Sequence, residues 1–250
     1  TVAAMVEASL ARLGTDYIDL YYLHRLPPQG PEEFFESMKP LIASGKVRAV
    51  GISEASPENL RKAHAVMPLA AAQYEWSLLT RELEKDIIPV CAELGIVLVA
   101  YSPLSRNLLA GAATADTIGG TFRAGQPRFQ GDNLEANQKL VKVVAGLAEA
   151  KGVTPATLSL AWVLHKAAEL GVEVLPIPGT TKAPHAAENI RAQDVSLSSE
   201  DMAALEALAR GVVGERGAPW YMSGTYEAQV TAGSGGGDYA KPVKGISSAE

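Results

Sequence analysis

Five apolar runs of the chain each end on polar side chains, and these side chains could form one ligand site. The runs end at His24, at Ser53, at Gln73, at Tyr101 with Ser102, and at residues 179–182, which read GTTK. An imidazole, an amide, a phenol ring and several hydroxyls suit a flat, polar aromatic ligand. The backbone amides of residues 179–182 and the charge of Lys182 suit a phosphate. Ser53 or Lys182 alone would be explained as a cap or a solvated side chain, but five successive strand ends favour a ligand site.

A repeated unit positions these residues: a helix, a glycine, an apolar strand and then the polar residue. Pro68 replaces the glycine once; the glycines are Gly14, Gly45, Gly95 and Gly171. Apolar runs without alternation, such as the one before His24, are typical of strands buried on both faces of a parallel sheet. Ligands bind at the carboxyl edge of such sheets, so we expect the polar strand ends to share that edge.

The alternation of helices and strands predicts parallel pairing with right-handed crossovers. Two architectures fit this pattern, the doubly wound open sheet and the (β/α) barrel. No G-x-G-x-x-G motif follows a first strand, so the dinucleotide fingerprint of the open sheet is absent. The sequence therefore favours the barrel. Five strands are predicted where a closed barrel has eight, so we expect open sheet edges that need cover.

The composition limits the partners and the compartment. The 250 residues carry a formal net charge of -6, and no basic stretch offsets it, so nucleic acid is not expected as the main partner. The single cysteine, Cys91, lies in an apolar run and is interpreted as a buried hydrophobe. It cannot form an internal disulfide, which favours a reducing, cytoplasmic compartment. No stretch has membrane-spanning length and no signal peptide opens the chain, so no membrane association is expected; no metal site is predicted either.

Five motifs together resemble those of the aldo-keto reductases in order and spacing. They are residues 20–25 (LYYLHR), 51–56 (GISEAS), 73–77 (QYEWS), 100–104 (AYSPL) and 177–182 (IPGTTK), the last followed by Glu188 and Asn189. The motifs are most similar to those of a plant and microbial branch that includes auxin-induced and perakine-reductase-like proteins. The resemblance ends near Thr225, so we divide the chain into a reductase domain at 1–225 and a flexible, glycine-rich tail at 226–250.

The resemblance implies a (β/α)8 TIM barrel, here partial, with five βα units from the fourth strand onward, and NADPH as the cofactor. His24 matches the catalytic histidine, which orients the substrate carbonyl beside a tyrosine proton donor. Ser53 and Gln73 match the residues that hold the nicotinamide carboxamide, and Tyr101 matches the aromatic residue that stacks on its ring. Ser102, Leu104 and Ser105 match the stretch along the pyrophosphate. The pocket for the adenosine 2′-phosphate is matched by Gly179, Thr181, Lys182 and His185, and the adenine contacts are matched by Glu188 and Asn189. The loop 106–131 would fold over the cofactor.

The chain departs from the family pattern at three places. Glu54 stands where many members have asparagine, which puts its nicotinamide contact in doubt. His185 stands where an arginine is common, and a neutral imidazole holds a phosphate less strongly. The family's catalytic aspartate, tyrosine and lysine lie on its first three βα units, which the resemblance places upstream of Thr1; without them hydride transfer has no acid to complete it. His64 and His165 match no motif and are interpreted as structural.

Three functions remain open at this point. The first is reduction of a small aldehyde or ketone with NADPH by a complete barrel, to which this chain contributes the cofactor site and His24. The second is a non-catalytic scaffold, as in the potassium-channel β subunits, or a truncated subunit completed by a protein partner or a homo-oligomer that covers the open barrel edge. The third is an unrelated barrel enzyme that acts on phosphate ligands.

Overall fold

The computed structural model describes residues 1–231, and residues 232–250 lie outside this description. The chain divides into two compact units. The first unit comprises Thr1–Leu69 and the described chain from Pro219 onward, and the second comprises Ala70–Ala218. Within residues 1–231, no helix has both the length and the apolar character that a membrane crossing requires.

The first unit begins with two helix–strand repeats and a third helix. Their bounds are α1 (Val2–Leu13), β1 (Ile18–Leu23), α2 (Glu32–Ala43), β2 (Val47–Ser53) and α3 (Pro57–Val66). Gly14 ends α1 in the left-handed conformation, with a φ of 67°, which glycine adopts without steric cost. Ser56 begins α3, because its hydroxyl accepts a hydrogen bond from the Asn59 amide and Pro57 fits the first helical turn.

Strands β1 and β2 pair in parallel, with Ile18 opposite Val47 and Leu23 opposite Ile52. Most of β2 is buried, whereas residues 20–23 of β1 are only half-buried. The expectation that β1 is buried on both faces is therefore wrong. β1 is the first strand in the sheet order, so its side chains lack a neighbouring strand on one side and stay partly open to water.

The second unit opens with β3 (Ala71–Glu75), α4 (Leu83–Asp86), α5 (Ile88–Leu94) and β4 (Val97–Tyr101). The sequence pattern predicts one helix over residues 83–94, shortened or bent at Pro89. The structure has two helices that meet at Ile87. Pro89 has no N–H to donate to the carbonyl group of Lys85, so the hydrogen-bond ladder is interrupted here and Pro89 lies in the first turn of a new helix, α5.

The second unit continues with five helices and one strand. They are α6 (Ala115–Ile118), α7 (Gly131–Ala150), α8 (Pro155–Glu169), β5 (Val174–Ile177), α9 (Ala183–Ile190) and α10 (Ser199–Ala209). Trp76 and Trp162 lie in the core of this unit; both are fully buried, and their rings meet edge to face with centroids 6.0 Å apart. The loop predicted over 106–131 is mostly irregular, with α6 and two short 3₁₀ turns inside it.

Strands β3, β4 and β5 pair in parallel in this order. The register places Glu75 beside Tyr101, and Tyr101 beside Ile177, at the carboxyl ends of the three strands. The predicted α/β fold with five parallel strands is confirmed. The barrel and its partial character remain predictions.

The end of the described chain returns to the first unit as α11 (Pro219–Met222) and α12 (Tyr226–Thr231). Trp220 of α11 is 47% exposed. The sequence predicts a flexible tail from residue 226, but residues 226–231 form a helix in which Tyr226 and Gln229 are buried. The rest of the predicted tail lies outside the described residues.

Candidate active site

His24 directly follows β1, at the carboxyl end of the strand, and its side chain is exposed. Partial desolvation lowers the pKa of His24, and the neighbouring charge of Arg25 lowers it further. Both effects disfavour the imidazolium, so the ring is neutral at neutral pH. A neutral imidazole can donate one N–H and accept at its other nitrogen.

Arg25 connects the two strand ends of the first unit. Its Nη1 donates to the carbonyl oxygen of His24 at 2.7 Å and to the hydroxyl oxygen of Ser53 at 3.2 Å. Ser53 is buried, at the last position of β2. The structure therefore brings His24 and Ser53 together through a residue whose role the sequence analysis missed. The sequence marked Arg25 in two ways, by its position directly after His24 and by its place in the motif at residues 20–25.

Glu54 is fully buried and has a φ of 53°, in the left-handed region that a glutamate rarely adopts. Its carboxylate accepts a hydrogen bond from the backbone amide of Tyr226 at 3.4 Å. The side chain that replaces the family's asparagine is therefore directed toward the start of α12. This contact is a structural role for Glu54 inside the first unit.

Gln229 of α12 fixes the segment that follows Ser53. Its Oε1 accepts from the Ser56 amide at 2.8 Å and from Nδ2 of Asn59 at 3.1 Å, and its Nε2 donates to the carbonyl oxygen of Glu54 at 2.7 Å. The three partners are buried, as is Gln229 itself. No motif in the sequence marks Gln229, which lies in the segment interpreted as a flexible tail.

In the second unit, Gln73 and Tyr101 lie on the same face of the sheet. Tyr101 pairs with Glu75, and Gln73 lies two residues before Glu75 on the same strand. Tyr101 is half-buried at the end of β4, and its hydroxyl oxygen accepts a hydrogen bond from Nη1 of Arg216 at 3.3 Å. The predicted carboxamide and ring contacts of the second unit therefore share one surface.

The turn after β4 carries the residues predicted along the pyrophosphate. Ser102 has a φ of 49°, and Ser105, Arg106 and Asn107 follow in the left-handed region as well. Ser105 is buried, and its hydroxyl forms a hydrogen bond of 2.8 Å with the hydroxyl of Ser77. This bond assigns Ser105 a role inside the turn, whereas Ser102 and Leu104 line a cavity.

A cavity of about 760 Å³ lies beside α9, within the size range typical of ligand pockets. One wall comes from the turn after β4 and another from the start of α8. Seven of the predicted cofactor residues line it: Leu104, Gly179, Thr181, Lys182, His185, Glu188 and Asn189. Thr181, Lys182 and His185 are exposed residues, so a ligand in the cavity can reach them.

A second cavity, of about 250 Å³, extends toward the end of β4. Tyr101, Ser102 and Ile177 contribute to its lining. Leu104, Asn107 and Gly179 line both cavities, so the two adjoin. Together they form a continuous surface from the Tyr101 ring to Lys182 and His185.

Gly179 lies where the two cavities meet. A Cβ at this position would meet no protein atom within 4 Å, and no left-handed conformation requires a glycine there. The packing of the protein therefore does not explain the glycine. A ligand that approaches the backbone closely would explain it.

The remaining reactive side chains have structural surroundings. His64 accepts from the Leu69 amide at 3.3 Å, and His165 contacts the Ala161 carbonyl oxygen at 2.9 Å and the Leu197 amide at 3.3 Å. Burial raises the pKa of Cys91 to about 12, so its thiol stays protonated and unreactive at neutral pH. Among residues 1–231, no cluster of three or more His, Cys, Asp or Glu side chains could hold a metal ion.

The fold and the strand-end residues define a class of protein, and comparison with known sequences identifies it. The profile of the aldo/keto reductase family matches residues 1–210. The chain belongs to this family, which is a class of oxidoreductases. The resemblance predicted from the motifs is confirmed.

Particular relatives agree with this assignment. The chain is 45% identical over 204 residues to a probable aldo-keto reductase 1 from Glycine max, a match that covers 80% of this chain and 58% of that protein. It is similar to the glycerol dehydrogenase of Gluconobacter oxydans, with 30% identity, a TM-score of 0.77 and coverage of 87% and 66% of the two chains. It is also similar to a thermostable aldo-keto reductase crystallised with the inhibitor epalrestat, with 29% identity, a TM-score of 0.66 and coverage of 83% and 65%. The chain thus spans about three fifths of the length of the Glycine max protein.

Proposed function

We propose that this chain carries the NADPH site and the catalytic histidine of an enzyme that reduces an aldehyde or ketone to an alcohol. The adjoining cavities in the second unit are the observation that carries the proposal. They offer an aromatic ring at Tyr101, a backbone free of side chains at Gly179, and a cation at Lys182. This order of groups matches a ligand with a flat ring at one end and phosphates further along, as NADPH has.

The residues of these cavities fit NADPH. Tyr101 would stack on the nicotinamide, and Gln73, on the same face, would bond its carboxamide. Lys182, Thr181 and His185 would hold the 2′-phosphate, with Glu188 and Asn189 at the adenine. When bound, NADPH supplies the hydride that reaches the carbonyl carbon.

His24 would orient the substrate. Its lowered pKa keeps the imidazole neutral at neutral pH, so that its N–H donates a hydrogen bond to the carbonyl oxygen and polarises it. Arg25 holds the backbone of His24 through a 2.7 Å hydrogen bond. We further propose that the proton of the product alcohol comes from the family's tyrosine, supported by its aspartate and lysine partners, on βα units upstream of Thr1.

A rate measurement on the complete gene product tests the role of His24. NADPH oxidation with simple aldehydes should fall sharply, by about 100-fold or more, in His24→Ala, because a group that acts on the carbonyl oxygen in the transition state contributes about 10²–10⁴-fold. His64→Gln serves as the control, since His64 bonds only a backbone amide in the same unit. Normal turnover in His24→Ala would refute the role of His24.

A binding measurement on the 250-residue chain tests the cofactor site independently of turnover. The fluorescence of NADPH should report its binding. Lys182→Ala should weaken the binding of NADPH more than the binding of NADH, because only NADPH carries the 2′-phosphate. A chain that is folded by circular dichroism but binds neither nucleotide would refute the cofactor assignment.

A second candidate function is a scaffold completed by a protein partner. Leu175 and Ile177 of β5 are 57% and 41% exposed, and β5 is the last strand in the sheet order. A terminal strand that exposes apolar side chains is prone to associate with another chain, because its backbone edge and its apolar surface are both open to contact. We propose a second copy of this chain as the partner. Sedimentation equilibrium should then detect a dimer that Leu175→Lys dissociates; a monomer at all concentrations refutes this proposal.

A further inference from the structure

A buried carboxylate lies beside Tyr101, and two arginines bind it. The side chain of Glu75 is 2% exposed, at the carboxyl end of β3. Its Oε2 accepts hydrogen bonds from Nη1 of Arg216 at 2.9 Å and from Nη2 of Arg106 at 2.8 Å. Buried charges are retained only when partners of opposite charge compensate the loss of water. The arginines of this cluster meet that requirement for Glu75.

The same cluster contacts the ring that the cofactor proposal invokes. Nη1 of Arg216 donates to Glu75 and also, at 3.3 Å, to the hydroxyl oxygen of Tyr101. A guanidinium nitrogen of this type carries two hydrogens, so both bonds can form at once. Because Glu75 and Tyr101 are paired residues of adjacent strands, the guanidinium joins two side chains on one face of the sheet.

Arg106 connects this cluster to the turn after β4. Its Nη1 donates to the carbonyl oxygen of Arg216 at 2.6 Å, while its Nη2 binds Glu75. The backbone of Arg106 has a φ of 55°, between Ser105 at 47° and Asn107 at 73°. Three consecutive non-glycine residues in the left-handed region persist only where their surroundings hold them. The two bonds of the Arg106 side chain supply that restraint, and Arg106 itself lines the cavity beside Tyr101.

We propose that Glu75 and Arg216 are positioning residues that hold the Tyr101 ring in the orientation needed to stack on the nicotinamide. This inference rests on the proposed function. A tyrosine ring turns about two side-chain bonds, and stacking requires its plane to lie parallel to the ligand ring. Arg216 fixes the far end of the ring at the hydroxyl, and Glu75 fixes Arg216. The stacking surface is therefore preformed, so that binding does not have to order it.

A double-mutant cycle on NADPH affinity tests this inference. Tyr101→Phe keeps the stacking ring and removes only the hydroxyl that Arg216 binds. We expect it to raise the dissociation constant for NADPH by about 3- to 10-fold, the effect of one hydrogen bond. Arg216→Met should raise it by at least as much. In the Tyr101→Phe background, Arg216→Met should add less than about 2-fold, because the group through which it acts has already been removed.

The outcomes separate this inference from the proposed function. If the unaltered chain does not bind NADPH, the cofactor assignment itself fails. If it binds, but the two substitutions have independent, multiplying effects or none, the positioning role is refuted. A loss of thermal stability with an unchanged dissociation constant would likewise reduce Arg216 to a structural role.

Two further variants distinguish a specific loss of NADPH affinity from a general effect of misfolding. Glu75→Gln keeps an acceptor for Arg216, so it should weaken the binding of NADPH less than Arg216→Met does. Arg81→Met is the control for loss of a partly buried arginine, because Arg81 pairs with Glu84 and does not contact Tyr101. It should lower thermal stability and leave the NADPH dissociation constant unchanged; an equal loss of affinity would show that the effect of Arg216→Met is not specific.

Discussion

Replacement of Gln229 by methionine should destabilise the first unit strongly. Methionine has a similar length, but it cannot bond the Ser56 amide, Nδ2 of Asn59 or the Glu54 carbonyl oxygen, all of which Gln229 bonds at 2.7–3.1 Å. All three partners are buried. Oδ1 of Asn59 already lacks a hydrogen-bond partner in the described chain, so the substitution would leave that amide without any.

The magnitude follows from these three groups. A buried polar group that loses its partner costs about 1–3 kcal/mol. Local relaxation reduces the sum, so we expect a loss of about 3–5 kcal/mol in the free energy of unfolding. This is a large part of the roughly 5–15 kcal/mol that stabilises a typical domain. With a denaturant slope of about 2–3 kcal/mol per molar, the urea midpoint should fall by about 1–2.5 M.

Urea unfolding followed by circular dichroism measures this loss. Gln29→Met is the matched control, because Gln29 is exposed in the same unit and its replacement should change stability by less than about 0.5 kcal/mol. A loss below about 1 kcal/mol for Gln229→Met would show that α12 does not hold the segment after Ser53, and the reasoning would be wrong.

Three further predictions concern single residues. Burial raises the pKa of Cys91 to about 12, so its thiol should resist iodoacetamide in the native protein at pH 8 and react only on unfolding. Rapid labelling of the native protein would contradict this burial. Glu54→Asn should lower the unfolding free energy by about 1–2 kcal/mol in urea titrations, because the shorter side chain loses the hydrogen bond from the buried Tyr226 amide; an unchanged or higher stability would show that relief of the backbone strain at a φ of 53° matters more. The hydrogen bonds from Lys151 and from the Ser198 amide lower the pKa of Asp201. Its stabilising effect is therefore fully present above the ordinary aspartate pKa and is lost as the pH falls through the lowered pKa of the folded state. Asp201→Asn should lower the urea midpoint more at pH 7 than at pH 3; an equal loss at both values would contradict this.

The sequence predicted the elements well because their signals are local. Glycines such as Gly14 and caps such as Ser56 act on their own helix ends, and the structure places helix boundaries at both. The strand ends also follow from the local pattern, since an apolar run stops where its polar residue begins. For this reason, His24, Ser53 and Tyr101 lie at the predicted ends of their strands.

The contacts between distant residues could not be predicted in this way. Arg216 binds Glu75 from 141 positions away, and Gln229 binds Ser56 from 173 positions away. The sequence around Arg216 and Gln229 has no periodic pattern from which their distant partners could be predicted. The half-buried state of β1 was missed for a similar reason, because it depends on which strands flank it and not on its own apolar residues.

The distribution of the tryptophans makes each unit visible to a different optical signal. Trp76 and Trp162, whose ring centroids are 6.0 Å apart in the second unit, are close enough for their excited states to couple, and both are shielded from collisional quenchers. Trp220, in the first unit, is 47% exposed and should be quenched readily by acrylamide. Acrylamide-sensitive emission would then follow the first unit, and the near-ultraviolet dichroism of the tryptophan pair would follow the second. The order in which the two units unfold can be recorded on the unlabelled protein.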